Sequence, residues 1–188
     1  SGFFNINKLK KFCKNNSNLF GHVTKNNIPG VEFSTGSLGH GLPVASGIAF
    51  SLKKKKRKNN IYCILSDGEC DEGSTWEAAL FSSHHKLNNL TVIIDHNKIQ
   101  SFGKVSTILK LNPFIDKWKS FNWKVREVDG HCHADLYKSL MKKKQSKPQV
   151  IIAHTVKGKG VSFMENKLKW HYKSPSSKEL NESLKNLK

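Results

Sequence analysis

The sequence predicts an α/β domain: one parallel sheet with helices on both faces. Short apolar runs alternate with helical patterns along the chain, which is the signature of a parallel sheet. The stretch from Ile61 to Gln100 reads as a complete βαβ unit. At 188 residues, with no internal repeat and no low-complexity linker, residues 1–188 suit a single domain with a sizeable core.

The elements follow in order. Residues 7–14 read as a short basic helix, with Phe12 as its core contact. Asn15 to Asn27 is polar and turn-rich. A helix is expected from near Ser37 to Lys58, and Pro43 is tolerable there only in the first turn. Ala45, Ser46, Gly47 and Ala49 are small, as close packing on a sheet requires. IYCIL, from Ile61, reads as a strand that meets Asp67 and Gly68. Ser74-Thr75-Trp76-Glu77 has the form of a capping box and opens a helix. LTVII is a second strand and ends at Asp95-His96-Asn97. Gly103 to Leu111 carries no firm pattern. Beyond it, Pro113 opens a helix (PFIDKWKSF), Asn122–Val128 reads as a strand, Ala134–Lys144 as a helix and Gln149–His154 as the last strand.

Composition narrows the function classes. Lys plus Arg number 32 against 14 Asp plus Glu, a net charge of +18. The lysines are spread along the chain, and the dense run Lys53–Lys58 trails a helix, where cations suit the helix end. No nucleic-acid-binding signature accompanies the charge, so no nucleic acid is expected; a basic surface also steers phosphorylated small molecules. The four cysteines form no CxxC or zinc spacing, which suits a reducing, cytoplasmic setting. No apolar run approaches the ~18 residues of a membrane span, and no signal peptide is visible.

Asp67 and Asn97 each fall just past the end of a strand, and parallel sheets bind ligands at those carboxyl ends. A carboxylate, an amide oxygen and the carbonyl of Ile99 are hard donors that suit a magnesium ion sharing its shell with a phosphate. A helix N-terminus nearby, with Gly68 and Gly73 allowing close approach, favours that phosphate. The plainer reading of the same residues is a strand-end Asp in a turn and an Asn in an Asx turn.

SDGECDEG followed by Asn97 resembles the thiamine diphosphate signature GDG…N in its transketolase form. Gly21-His22, PGVEFSTGSLGHG (Pro29 to Gly41), WEAAL, DHNKIQ and HTVKGKGVSFMEN…WH (His154 to His171) resemble transketolase segments in the family's order. The resemblance covers nearly the whole chain. It implies a thiamine diphosphate-binding fold, with Mg2+ (or Ca2+ as a substitute) on Asp67, Asn97 and the Ile99 carbonyl. It places Gly36, Leu38, Gly68, Glu69 and Lys157 beside the cofactor. It makes His22 a ligand of the donor's hydroxyl groups, sets His171 close to the reacting carbon, and turns Glu72 toward a partner glutamate across a subunit interface.

Two positions depart from the pattern. Ser66 stands where the family has the first Gly of GDG, and His40 replaces a Gln. The family's cofactor lies between two domain types, and nothing in this chain is left over to form the pyrimidine-side one. The resemblance also implies a further segment upstream, with substrate-channel histidines that have no counterpart here. The reading is therefore half of a transketolase-like enzyme acting on a phosphorylated sugar, together with a second copy of itself and a pyrimidine-side subunit. The rival is a non-catalytic interaction protein on a degenerate transketolase fold.

Overall fold

The structure is a computed structural model, and it describes residues 2–26, 28–141 and 146–187. Its centre is a four-stranded parallel sheet. The strands are β1 (Ile61–Ser66), β2 (Leu90–His96), β5 (Lys124–Asp129) and β6 (Gln149–His154), in the order β1-β2-β6-β5. Register runs from Ile61 opposite Leu90 to Ser66 opposite Asp95, and from Thr91 opposite Gln149 to His96 opposite His154. A small antiparallel hairpin, β3 (Ile99–Gln100) and β4 (Gly103–Lys104), follows β2 directly. The helices are α1 (Gly41–Lys54), α2 (Gly73–His84), the short α3 (Val105–Ile108), α4 (Phe114–Ser120), α5 (His133–Met141) and α6 (Ser177–Asn186).

Alternation along the strands decides which face each side chain serves. Leu65, Val92, Ile94, Val150 and Ile152 point to one face, where they join Leu42 and Ala49 of α1, Ala79 of α2, and Phe114 and Trp118 of α4. Trp123 closes this core, donating its indole N–H to Ala79 O at 2.9 Å. The opposite face takes α5, tied down where Gln149 Nε2 donates to Ser139 O at 3.2 Å. The two helices fall on opposite faces because β1→β2 and β5→β6 step in opposite directions and both crossovers are right-handed. The β1 border of the α5 face is bare: Tyr62 and Ile64 are exposed.

Several expectations shift. The basic segment near the start is a 3-10 turn, Ile6–Lys11, and Phe12 is 54% exposed rather than packed in the core. The 3-10 turn buries none of its own residues. The helix expected from Ser37 starts at Gly41, because Gly36 and Gly39 hold positive φ and no helix passes through them. Pro43 does sit in its first turn, and the helix ends at Lys54. Lys53 caps the neighbouring helix, donating to the carbonyls of His85 and Lys86 at the end of α2. The helix expected to Lys144 is seen to Met141, and Lys142–Gln145 lie outside the described residues. Asn112-Pro113 is cis, and Pro113 forms the N-cap of α4. No described helix is long and apolar enough to cross a membrane.

Candidate active site at the carboxyl ends of the strands

Asp67 leaves β1 and is 1% exposed. Its Oδ2 accepts the N–H of Lys98 at 2.6 Å, which joins the loop after β1 to the turn after β2. Burial raises the Asp67 carboxyl to about 6; the N–H groups of Lys98 and Gly68 pull it back, while Asp95 and Asp71 push it further up. Asn97 closes an Asx turn, its Oδ1 accepting from Ile99 N at 3.0 Å, with Lys98 left-handed at φ 67. Asp67, Asn97 and Ile99 are thus brought together, in the turn that the plainer reading described.

Beside Asp67, residues Gly68–Asp71 form a 3-10 turn. Ser66, the departure from the family signature, is built into it: Ser66 Oγ accepts from Glu69 N at 3.2 Å. The Glu69 carboxylate turns the other way and accepts from Gly39 N at 3.3 Å. Burial chiefly raises its pKa, against N–H groups from Gly39, Ser66 and Gly41. Gln100 packs its stem on Gly68 and donates to Asp71 Oδ2 at 2.6 Å, while Asp71 Oδ1 is buried without a partner.

The expected capping box is absent. The 3-10 turn delivers the chain two residues early, so α2 starts at Gly73 with Glu72 as a bare N-cap. Ser74 Oγ donates instead to Gly39 O at 2.7 Å, and Thr75 Oγ1 donates to Glu69 O at 2.8 Å. Both bonds fasten the Gly36–Gly41 loop and the acid loop to one helix end. Gly36, at φ +122, lets the His22 ring lie where a Cβ would stand. Leu38, on the same loop, is 49% exposed.

Lys157 and His171 form a pair of their own. Lys157 Nζ lies 3.2 Å from His171 Nδ1, and the Leu168–His171 turn packs against β3. A lysine ammonium can only donate, so Nδ1 accepts and the second ring nitrogen carries the proton. Burial, then the Lys157 charge, lowers the His171 pKa, so the ring stays neutral near pH 7 and presents an N–H. In Lys157→Met the His171 midpoint is expected to move up, because a cation no longer opposes protonation. Titration of the ring signals by NMR checks this; an unmoved midpoint would leave burial as the sole cause.

A divalent ion suits this donor set in one respect and asks more in another. All three donors are hard oxygens, and Asp67 is a buried acid whose charge is opposed by two others, Asp95 and Asp71. Yet among the described residues no three His, Cys, Asp or Glu side chains converge as a metal cage. An ion here needs the amide of Asn97, the Ile99 carbonyl and oxygens of the ligand itself. Sequence reasoning missed Gly39, Ser74, Lys98 and Gln100, which fix the loops. Only the second glycine of TGSLGHG is a visible signal.

Fold and loops together define an α/β domain with an oxygen-rich face at its strand ends. The transketolase thiamine diphosphate-binding domain family matches residues 2–187, and the chain belongs to that family. It is 42% identical to one subunit of the apulose-4-phosphate transketolase of Actinobacillus succinogenes, over 100% of this chain and 68% of that one. It is 38% identical to the 6-deoxy-6-sulfo-D-fructose transketolase subunit SqwG of a Clostridium species, over 90% of this chain and 62% of that one. Against human transketolase it is 37% identical over 92% of its length, which is 28% of the human chain. The transketolase structure from Campylobacter jejuni superposes with a TM-score of 0.89 at 30% identity, covering 95% of this chain and 29% of that one. The chain spans about two thirds or less of each of these relatives.

Proposed function

We propose that this chain is the diphosphate- and metal-side subunit of a two-subunit, cytoplasmic transketolase. Such an enzyme moves a two-carbon ketol unit from a ketose phosphate to an aldose. The observation that carries the reading is the buried Asp67 at the end of β1, held against the Asn97–Ile99 turn in a chain of this family. Asp67, Asn97 and the Ile99 carbonyl would hold Mg2+; Gly68 and Glu69 would line the diphosphate side, Gly36 and Leu38 the pyrimidine side, and Lys157 the cofactor's flank. Bound thiamine diphosphate supplies the carbon nucleophile. This chain's own part is to orient and to handle protons. His22 hydrogen-bonds the donor's hydroxyls. His171 offers an N–H near the reacting carbon, its tautomer set by Lys157.

Ser66 is the feature that favours the non-catalytic rival. Its hydroxyl accepts the Glu69 N–H, so the loop accommodates the serine and the substitution is compatible with the catalytic reading. Relatives that are named as single subunits of transketolases support a pyrimidine-side partner. Glu72, exposed at the N-cap of α2, is the residue we assign to the interface.

The test is a coupled ketol-transfer assay with thiamine diphosphate and Mg2+, on this chain alone and with its pyrimidine-side subunit. The chain alone is expected to be inactive, and the mixture active, with light scattering showing two copies of each chain. Robust turnover by a monomer of this chain would overturn the reading. His22→Ala and His171→Ala are expected to lower turnover by about tenfold or more while calorimetric cofactor binding is kept, tenfold being ~1.4 kcal/mol of barrier.

A further inference from the structure

The loop after β6 carries Lys157, whose side chain is a flexible four-carbon stem. Its 3.2 Å contact from Nζ to His171 Nδ1 therefore depends on where the lysine backbone is held. Downstream, Lys157 O accepts from Asn166 N at 2.9 Å. Upstream, the hold comes from the turn after β5. Asp129 Oδ1 accepts the N–H of His131 at 2.8 Å, and Gly130 N donates to His154 O at 2.8 Å. Gly130 has no Cβ, and the methyl group of Thr155 lies where one would stand. The turn is thereby seated on the exit of β6, and the His131 ring lands on Val156. Its Nε2 accepts Val156 N at 2.8 Å, across 25 positions of sequence. On the other side, Thr155 Oγ1 donates to Asp95 Oδ1 at the end of β2.

A backbone N–H can only donate, so Nε2 of His131 is bare and the ring proton sits on Nδ1. His171 has the opposite tautomer, its Nδ1 accepting from Lys157. We propose that His131 is a positioning residue: as a neutral acceptor for the Val156 N–H it fixes the Thr155–Lys157 segment, so that Lys157 meets His171 and sets its tautomer. It acts through Lys157 and is not itself a catalytic residue. Without this acceptor the partly buried Val156 N–H loses its partner and the segment relaxes toward water. The proposal rests on the ketol-transfer reading, which gives Lys157 and His171 their roles, and adds the residue that brings them together.

The experiment compares His131→Leu, which has no acceptor, with His131→Gln, whose Oε1 can take the place of Nε2. Hydrogen exchange at the Val156 amide and the nitrogen NMR signals of the His171 ring are read on the full chain. Ketol transfer is read with the pyrimidine-side subunit added, and circular dichroism verifies that each variant is folded. In His131→Leu, Val156 exchange is expected to quicken about fivefold or more, and turnover to fall about tenfold or more. The His171 Nδ1 signal should shift toward that of a ring free of the lysine. His131→Gln is expected to restore all three. His131→Leu added to Lys157→Met should lower turnover no further, because its effect passes through that lysine. Unchanged Val156 exchange in His131→Leu, or parental turnover despite faster exchange, would overturn the proposal. So would a loss in the Lys157→Met background as large as in the parent. An inactive parent mixture would instead overturn the ketol-transfer reading. The Val156 and His171 signals then decide the role of His131 by themselves: both moving in His131→Leu supports it, and either one unmoved overturns it.

Discussion

Asp67→Asn is expected to weaken magnesium-dependent binding of thiamine diphosphate on the order of a hundredfold, and to make the ligand-free protein more stable. The two effects share one cause. Asp67 is a buried carboxyl whose folded-state pKa stands at about 6 against an ordinary 3.8, so the fold opposes its ionisation. A raised carboxyl binds its proton more tightly in the folded state, so stability falls as pH rises from about 4 through about 6. Above that range the ionised group costs the ligand-free fold as much as about 3 kcal/mol, at ~1.4 kcal/mol per unit. An amide at position 67 carries no charge to bury and still accepts the Lys98 N–H. The variant should therefore melt higher than the parent at pH 8 and alike at pH 4. A cation offsets the parent's penalty, so Mg2+ with cofactor should raise the melting point of the parent and not of the variant. Calorimetry and thermal melts at the two pH values check both halves. Asn97→Ala should weaken binding in the same direction without the stability gain, because a neutral oxygen is lost. Unchanged cofactor affinity in both variants would remove the metal assignment.

Gly39→Ala is expected to lower the melting point by roughly 5 °C and to weaken cofactor binding by about tenfold or more. Gly39 has φ +77, where a side chain costs about 1–2 kcal/mol. Space is as restrictive as the dihedral. A methyl group there would overlap Ser74 Oγ and stand 2.8 Å from Glu72 Cβ, and neither is the loose end of a long side chain. Relief must come from moving the Gly36–Gly41 loop, which breaks the bonds from Gly39 N to Glu69 and from Ser74 to Gly39 O. Those bonds align the two loops assigned to the cofactor. Gly47→Ala is the matched control. Nothing lies within 4 Å of its added Cβ, it sits inside α1, and the change should stabilise by about 0.5–1 kcal/mol. If Gly39→Ala melted and bound like the parent, the loop would not be the alignment device described.

Local sequence settled much of this protein. Apolar runs bounded by turn residues placed β1, β2 and β6, and the βαβ pattern put Asp67 and Asn97 at neighbouring strand ends, because parallel strands leave their carboxyl ends on one side. Motif order along the chain pointed to the family. Sequence did not show where side chains with two possible partners would go. Ser74 had the right neighbours for a capping box, yet its hydroxyl bonds Gly39, 35 positions away, because a 3-10 turn set the helix start. Phe12 looked like a core residue, yet it stands more than half exposed beside a turn that buries nothing. The Lys98 N–H on Asp67 and the Lys157–His171 pair join residues 31 and 14 positions apart. Periodicity reports which face of an element is apolar. Which polar group meets which is decided by the register of the sheet and the path of the loops, and these form only when the core packs.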